Sequence, residues 1–530
     1  MLKTNIIFYL FILVHINASA QDGMLDHTFG IYGIATIDIS GYYEVAGDAK
    51  VQDDGKIIIA GSTYKNNKTQ GLLLKLKPNG EIDSTFADEG IRYITQTGAT
   101  ELKLNSVALM PDDFIIAGGY LVGPGETFAI LVKCSSDGTI DTSFGTDGIV
   151  KIFSGKYSND AYVSDIMLQP DGKIIFCGKE KSEHTEFLEQ FVIGRYLPEG
   201  IPDSSFGGEG LVYNYLTGLP SYATSITLQA DGKIIAAGIT GHDFALTRYL
   251  NNGVPDYDFG TMGIVTTSFD DYDYLEDIGV MHNGNIVAVG YYYDFSNNNC
   301  EYWKSKILVA CFTPTGELNG DFNSDGITTF AINHCNDEAY SLLIQPDDKI
   351  LIGGATGNLS ALESFNYSVL RLNPDGSKDN SFADDGYLET DMYQPNEYYG
   401  YPQSLEFQPD GKAVLAGYMN DWDHSKTFFS AIRISTGVDS VDLIEQDSIA
   451  PPDNRSGIWS SNKTLFIYNT TTAPIEVKLF SISGAHIYTF VAPSGISEYN
   501  MYDLSKGIYV VNANSALLKP VKIFIGNSNY

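Results

Sequence analysis

The chain has 530 residues, with 66 acidic against 32 basic side chains and a formal net charge of -34 at neutral pH. So large an acidic excess repels phosphate backbones and anionic bilayers, which argues against nucleic acid and anionic membrane surfaces as partners. The length suffices for more than one hydrophobic core, and the charge favours solubility without choosing a ligand.

In chain order, the first element is a leader. Lys3, an apolar stretch from Ile6 to Val14, and Ala18-Ser19-Ala20 before Gln21 have the form of a secretory signal peptide, expected to occupy residues 1–20. Its apolar run is too short to span a bilayer, and no other segment is expected to do so. The mature protein is therefore expected to begin near Gln21 and to leave the cytoplasm.

Residues 21–437 repeat a two-part phrase. One half is a tight turn between apolar runs: Asp54-Gly55-Lys56, Asp112-Asp113-Phe114, Asp171-Gly172-Lys173, Asp231-Gly232-Lys233, Asn283-Gly284-Asn285, Asp347-Asp348-Lys349 and Asp410-Gly411-Lys412. The other half is anchored by Phe29, Phe86, Phe144, Phe206, Phe259, Phe322 and Phe382. Each stands three residues after Asp26, Asp83, Asp141, Asp203, Asp256, Asn319 or Asp379, and each is followed by a glycine, from Gly33 to Gly386. The period of about 52 to 64 residues lies at or just above that of one propeller blade.

Each unit codes four short strands. In the second unit they are expected at Ser106–Leu109, Phe114–Gly118, Phe128–Lys133 and Gly148–Phe153. Asp-Gly between apolar strands predicts a type I′ hairpin, whose two central residues need positive φ. Runs such as Ile57-Ile58-Ile59-Ala60 are apolar without alternation, so a neighbouring sheet is expected to cover each face. The chain opens with the Phe half alone, and the last copy stops after its turn half at Gly437. Gly33 to Asp38 is therefore expected to supply the outer strand missing beside Phe428 to Ser435 and to close a ring. The fold class read from this pattern is all-β: a seven-bladed β-propeller with an N-terminal strand closing the last blade, followed by a small C-terminal β-sandwich.

The repeated residues read as structural: carboxylates that accept turn N–H groups, phenylalanines plugged between blades, and glycines at special φ/ψ. Asp321-Phe-Asn323-Ser-Asp325-Gly326 starts like a calcium loop, but Ile332 stands where its twelfth-position Glu belongs, and its sibling turns mark it as the ordinary repeat. No metal and no cofactor is expected. The phrases Leu168-Gln-Pro-Asp-Gly-Lys-Ile-Ile and Ile140-Asp-Thr-Ser-Phe-Gly-Thr-Asp-Gly-Ile resemble the delta-60 repeat, a β-propeller family common in bacterial surface and secreted proteins. The resemblance covers roughly Leu25 to Gly437 and implies a fold and a location, but no reaction.

A polar linker with Pro451-Pro452 is expected at 438–460. Residues 461–530 then read as alternating short strands: Lys463 to Asn469, Ile475 to Gly484, Met501 to Val510 and Pro520 to Ile525, a pattern that predicts a small β-sandwich. Their order resembles the C-terminal sorting domain of the type IX secretion system found in Bacteroidetes, over Leu465 to Gly526, with Asn469-Thr470-Thr471 where that family usually has Pro. The resemblance implies the type IX secretion machinery as partner and a secreted or outer cell-surface location, often with removal of the module. The alternative is an ordinary adhesive sandwich.

Cys134, Cys177 and Cys311 fall within or at the end of predicted strands, as small buried hydrophobes. Cys300 and Cys335, in two long loops on one face, are the disulfide candidate.

Two of the four connections per unit vary in length and are expected to emerge on one face, where binding residues collect. The candidate ligand-binding residues there are Tyr42, Tyr43, Tyr272, Tyr274, Tyr292, Trp303, Tyr399, Tyr401, Trp422, Asp271 and Asp273, with Tyr291, Tyr293, Tyr398, Asp270, Asp421 and Asp423 nearby in sequence. Aromatic rings with a polar edge suit sugar rings or peptide segments, although tyrosines also simply pack loops onto a rim. No catalytic residue is singled out. The run from Phe269 to Asp277 offers carboxylates but no defined pair, and no Ser-His-Asp order, phosphate loop or HExxH helix is recognisable. The leading reading is a secreted or cell-surface binding or adhesion propeller for carbohydrate or another extracellular polymer, with a glycan or protein as ligand. The alternative is an extracellular polysaccharide- or peptide-degrading hydrolase using loop carboxylates, and a purely structural surface protein is the third.

Overall fold

The computed structural model describes residues 22–39, 43–110, 113–152, 161–181, 189–214, 216, 219–269, 272–294, 305–332, 336–358, 364–390, 398–421 and 426–438, with strands from 457 to 525 beyond them. Residues 1–20, expected as a signal peptide, and both Cys300 and Cys335, the disulfide candidate, lie outside the described residues. Among the described residues every regular element is a β-strand, and no helix is long and apolar enough to cross a membrane.

Each repeat unit folds as a four-stranded antiparallel meander. In the first the strands are Glu44–Val51, Ile57–Lys65, Lys68–Leu76 and Ile91–Ile94. The first strands of the units that follow are Glu101–Leu109, Ala161–Leu168, Ser221–Leu228, Asp273–Val280, Asn336–Ile344 and Tyr398–Phe407. The final meander takes its outer strand from the other end of the chain: Ile34–Ile37 pairs with Thr427–Ile434, with Ile34 opposite Ile432 and Ile37 opposite Phe429. Backbone bonds from Gly23 N to Ser435 O and from Asp26 N to Arg433 O, both 2.8 Å, extend that junction. Each first strand touches the first strand of the next unit, and Tyr398–Phe407 touches Glu44–Val51, so the contacts return to their start.

The apolar cores lie between successive units. One combines Ile58 and Leu73 of the first unit with Val107, Ile115 and Ile130 of the second, and another joins Leu351 and Val369 to Leu405, Leu415 and Ile432. Phe29 and Ala35 help seal Ile57 and Leu72 against Val414 and Phe429. Sheets covered on both faces in this way require apolar runs without alternation, as at Ile57 to Ala60.

Two local expectations change. The first strand of the second unit runs from Glu101, not Ser106, because its channel-side half is polar and does not look like a strand in sequence. The tight turns are not type I′. Gly55 N bonds to Gln52 O and Gln52 N to Lys56 O, each at 2.8 Å, and only Gly55 has positive φ, at 81°. This is a type I turn followed by one left-handed residue, the usual three-residue hairpin. A single left-handed position is less demanding than two, which lets Asp113 and Asp348 stand where five siblings have glycine.

The Phe half packs as its pattern suggests. Thr28 N donates to Asp26 Oδ1 at 3.0 Å, and the equivalent bond recurs down to Ser381 N on Asp379. The seven phenylalanines are buried against the following unit; a Cβ on Gly253 would stand 3.0 Å from the Phe206 ring. Beside four of these rings the anchoring carboxylate also meets two cations: Arg195 and Lys173 on Asp203, Arg248 and Lys233 on Asp256, Arg371 and Lys349 on Asp379, and Arg433 and Lys412 on Asp26. Each guanidinium lies 4.5–5.1 Å from the centre of its phenylalanine ring. One unit lacks all three charges at once. It carries Asn285, Cys311 and Asn319, and Asn319 Nδ2 points to Cys311 Sγ at 3.8 Å.

Beyond residue 456 the strands form two antiparallel sheets. One contains Gly457–Ser461, Thr464–Asn469 and Gly495–Asn500. The other runs His486–Ala492, Ile475–Ser481, Gly507–Ala513, Val521–Ile525 in spatial order. The strand at Gly457 begins within the stretch expected as linker.

Candidate functional site

The seven first strands wall a channel of about 520 Å³. Each carries one bulged residue: Gly47, Asn105, Ser164, Thr224, Glu276, Tyr340 and Gln403. A bulge adds twist and re-aims the side chain beside it. The residues that follow are Asp48, Ser106, Asp165, Ser225, Asp277, Ser341 and Ser404, and they bond from unit to unit as a belt. Val107 N donates to Asp48 Oδ2 at 3.0 Å, Ile166 N to Ser106 Oγ at 3.1 Å, and Ile226 N to Asp165 Oδ2 at 2.9 Å. Ser225 Oγ and Leu342 N both donate to Asp277, at 2.8 Å each, Leu405 N donates to Ser341 Oγ at 3.1 Å, and Ser404 Oγ donates to Ala49 O at 3.0 Å.

Proton counting constrains this belt. Ser106 Oγ lies 3.1 Å from Asp48 Oδ2 and 2.9 Å from Asp165 Oδ1. One hydroxyl has one proton and cannot donate to both, so one of the two carboxyls carries a proton of its own. Asp165 is the carrier: burial, and next the charge of Asp48, push its pKa up to about 7. Lys50 bonds to Glu406 and stands 3.6 Å from Asp48. Burial works against its charge, but the two carboxylates outweigh burial and hold its pKa above the usual lysine range.

Two residues before the bulges, toward the variable connections, the same strands present Lys103, Tyr162, Tyr222, Tyr274, Glu338 and Tyr401. Tyr120, Lys179, Tyr291 and Tyr418 sit opposite Lys103, Tyr162, Tyr274 and Tyr401 on the second strands. Tyr120 meets Tyr162 edge-on at 4.7 Å, and Lys179 Nζ lies between Tyr162 and Tyr222, at 4.8 and 5.5 Å. Tyr274 stacks on Tyr291 at 5.0 Å, Tyr291 approaches Tyr340 at 6.2 Å, and Tyr401 stacks on Tyr418 at 5.1 Å. All of these tyrosines are half-buried. Burial raises the Tyr222 and Tyr293 phenols to about 12, so both remain hydrogen-bond donors.

The structure brings only part of the candidate set to this rim. Tyr274 and Tyr401 belong to it. Tyr43 and Tyr272 are exposed beside it, with Tyr272 4.1 Å from His242. Tyr292 is half-buried against an inter-unit core. Tyr399 is 8% exposed and Asp273 1%, the latter accepting a bond from Phe269 N at 2.7 Å, which makes it a support for the backbone. Tyr42, Trp303, Trp422, Asp270, Asp271 and Asp423 lie outside the described residues. Of the carboxylates expected in a loop, Asp273, Glu276 and Asp277 belong in fact to the channel strand Asp273–Val280. Sequence reasoning held Glu276 and Asp277 within the run from Phe269 to Asp277 without singling them out, and missed the rest of the belt and the tyrosines at 120, 162, 222, 340 and 418. A signal existed: in every unit the residue six positions before the first residue of the tight turn is Asp or Ser.

A family model described as a domain of unknown function (DUF5122) beta-propeller matches residues 52–86, 229–259 and 345–382, which supports a β-propeller family for the chain. Among solved structures, a protein of unknown function from Dyadobacter fermentans is similar at 11% identity and a TM-score of 0.38, covering 76% of this chain and 98% of its own. The polysaccharide lyase Uly1 is similar at 14% identity and a TM-score of 0.40, covering 80% of this chain and 94% of its own. PorZ, a surface component of the type-IX secretion system of Porphyromonas gingivalis, is similar at 9% identity and a TM-score of 0.24, covering 91% and 81%. No curated protein matches the chain.

Proposed function

We propose that the chain is a secreted or cell-surface seven-bladed β-propeller of the delta-60 repeat type, closed by its N-terminal strand, that binds an extracellular glycan or related polymer at the tyrosine-lined mouth of its channel. One observation carries this reading: half-buried tyrosines of successive units sit at one register of the channel strands, in ring contact with their neighbours, and one of the cluster, Tyr340, lines the channel itself. Flat rings suit pyranose faces, and fixed hydroxyl donors suit their rims. The C-terminal pair of sheets is read as a sandwich that hands the protein to the type IX secretion machinery. A chain ending at residue 456 is then expected to stay inside the outer membrane; its release or surface display would refute that role.

The binding reading is tested on a glycan array with the mature protein and the double variant Tyr274→Ala/Tyr401→Ala. Loss of the stacked pairs is expected to weaken binding by about tenfold or more. Unchanged binding would remove the rim from the account, and no glycan bound by the unaltered protein would overturn the carbohydrate reading itself. A hydrolase is the second reading. It draws on Glu276, whose carboxyl is pushed up to about 8 by burial, then by Glu338 and Asp277, as a general acid needs. Release of reducing ends from the bound glycans would favour it.

A further inference from the structure

Glu276 differs from the other acids of the channel. Asp48, Asp165 and Asp277 are satisfied within the belt, and Glu406 is paired with Lys50. Nearby, Glu338 accepts from Tyr340 Oη and from Ser305 Oγ at 3.1 Å. Glu276 lines the channel as the bulged residue of its strand, and its carboxyl makes no hydrogen bond with any described residue. The groups electrostatically coupled to it are the phenols of Tyr222, Tyr274, Tyr291 and Tyr340 and the carboxyls of Glu338 and Asp277.

Resting on the glycan-binding reading above, we propose that Glu276 and the surrounding tyrosines receive the ammonium group of an amine-bearing glycan. The chemistry favours a monovalent organic cation over the other choices. A carboxylate and the negative faces of aromatic rings both attract positive charge, and neither suits an anion. A divalent metal needs several converging oxygen or nitrogen ligands, and no group of three such side chains able to hold one occurs among the described residues. An ammonium on a sugar ring supplies the missing donor for Glu276 and leaves the ring itself for the tyrosines.

Binding has a proton signature. The free carboxyl keeps its proton into the neutral range, because burial, Glu338 and Asp277 all disfavour its charge. On arrival of R–NH₃⁺ the acid Glu276–COOH becomes the carboxylate of an ion pair, and its proton leaves for solvent. About one proton is therefore released per ammonium bound.

The test is calorimetric titration of the full chain with a glucosamine oligomer and with the N-acetylated oligomer of equal length. It is run in slightly acidic conditions, in two buffers of different ionisation enthalpy. The amine form is expected to bind at least about tenfold more tightly, with a heat that depends on the buffer. Glu276→Gln, which keeps the shape without the charge, is expected to erase both the preference and the buffer dependence while its melting temperature is unchanged or higher. If the variant fails to fold, the buffer dependence of the unaltered protein decides alone. Equal binding of both oligomers without proton release would overturn the ammonium site and leave glycan binding standing; binding of neither would overturn both.

Discussion

Replacing Asp256 by alanine is expected to cost about 3–5 kcal/mol of stability, because it strands a buried guanidinium. Arg248 Nε donates to Asp256 Oδ2 at 2.8 Å, and the two residues are 4% and 5% exposed. Burial alone would raise the Asp256 pKa, but Lys233, the Asp258 N–H and Arg248 reverse that and hold it below the usual range. The repeat contains its own control: where Asp256 and Arg248 have Asn319 and Cys311, the turn lysine is also replaced, by Asn285. The triple variant Lys233→Asn/Arg248→Cys/Asp256→Asn is accordingly expected to recover at least about 2 kcal/mol of the single variant's loss, since paired charges can be removed together at far lower cost than one partner alone. Urea unfolding of the two variants checks this. A triple variant less stable than the single one would show that the charges are not the reason these positions change together.

The belt proton gives the second large effect, read as pH dependence. Asp165 has a folded-state pKa of about 7 against 3.8 for a free aspartate. A raised carboxyl pKa means that the folded state binds the proton more tightly. The stabilisation is fully present below the unfolded value and is lost as pH rises through about 7. Asp165→Asn removes this dependence, and its amide can still donate to Ser106 Oγ. The stability of the unaltered protein relative to the variant is expected to fall by on the order of 2–3 kcal/mol between about pH 5 and about pH 8. Contributions from the depressed carboxylates such as Asp203 and Asp379 are common to both proteins and cancel. A difference that stays flat with pH would place the proton elsewhere than on Asp165.

The parts of the fold legible in sequence are those where backbone geometry dictates residue type. Glycine or a tolerant aspartate marks the left-handed turn position, and Asp-x-x-Phe marks a capped turn that carries a plug. The channel was less legible. Its strands face water on one side and a neighbour on the other, so Asp273-Tyr-Leu-Glu-Asp277 and Glu101-Leu-Lys-Leu-Asn105 look like solvated loops when only apolar runs are taken for strands. Hairpin type was misread because Asp-Gly serves equally as the end of a type I turn with a left-handed glycine. Aromatic residues near variable connections overstated the rim: Tyr399 and Asp273 are buried, and nothing in one sequence separates them from Tyr401. The fixed offset from the turn was the available clue, because a bulge at a constant register sends one residue of every unit to the same place on the wall.

That wall also obeys an arithmetic of parity. Going round from Asp48, acid and alcohol alternate through Ser341, and then Ser404 repeats the alcohol. Two kinds cannot alternate around an odd number of places without one mismatch, whereas an even number would leave no remainder. Omitting either the Ser341 or the Ser404 unit would restore perfect alternation. The mismatch therefore adjoins the unit whose outer strand comes from the start of the chain, so the irregular step in the cycle lies next to its non-covalent seam.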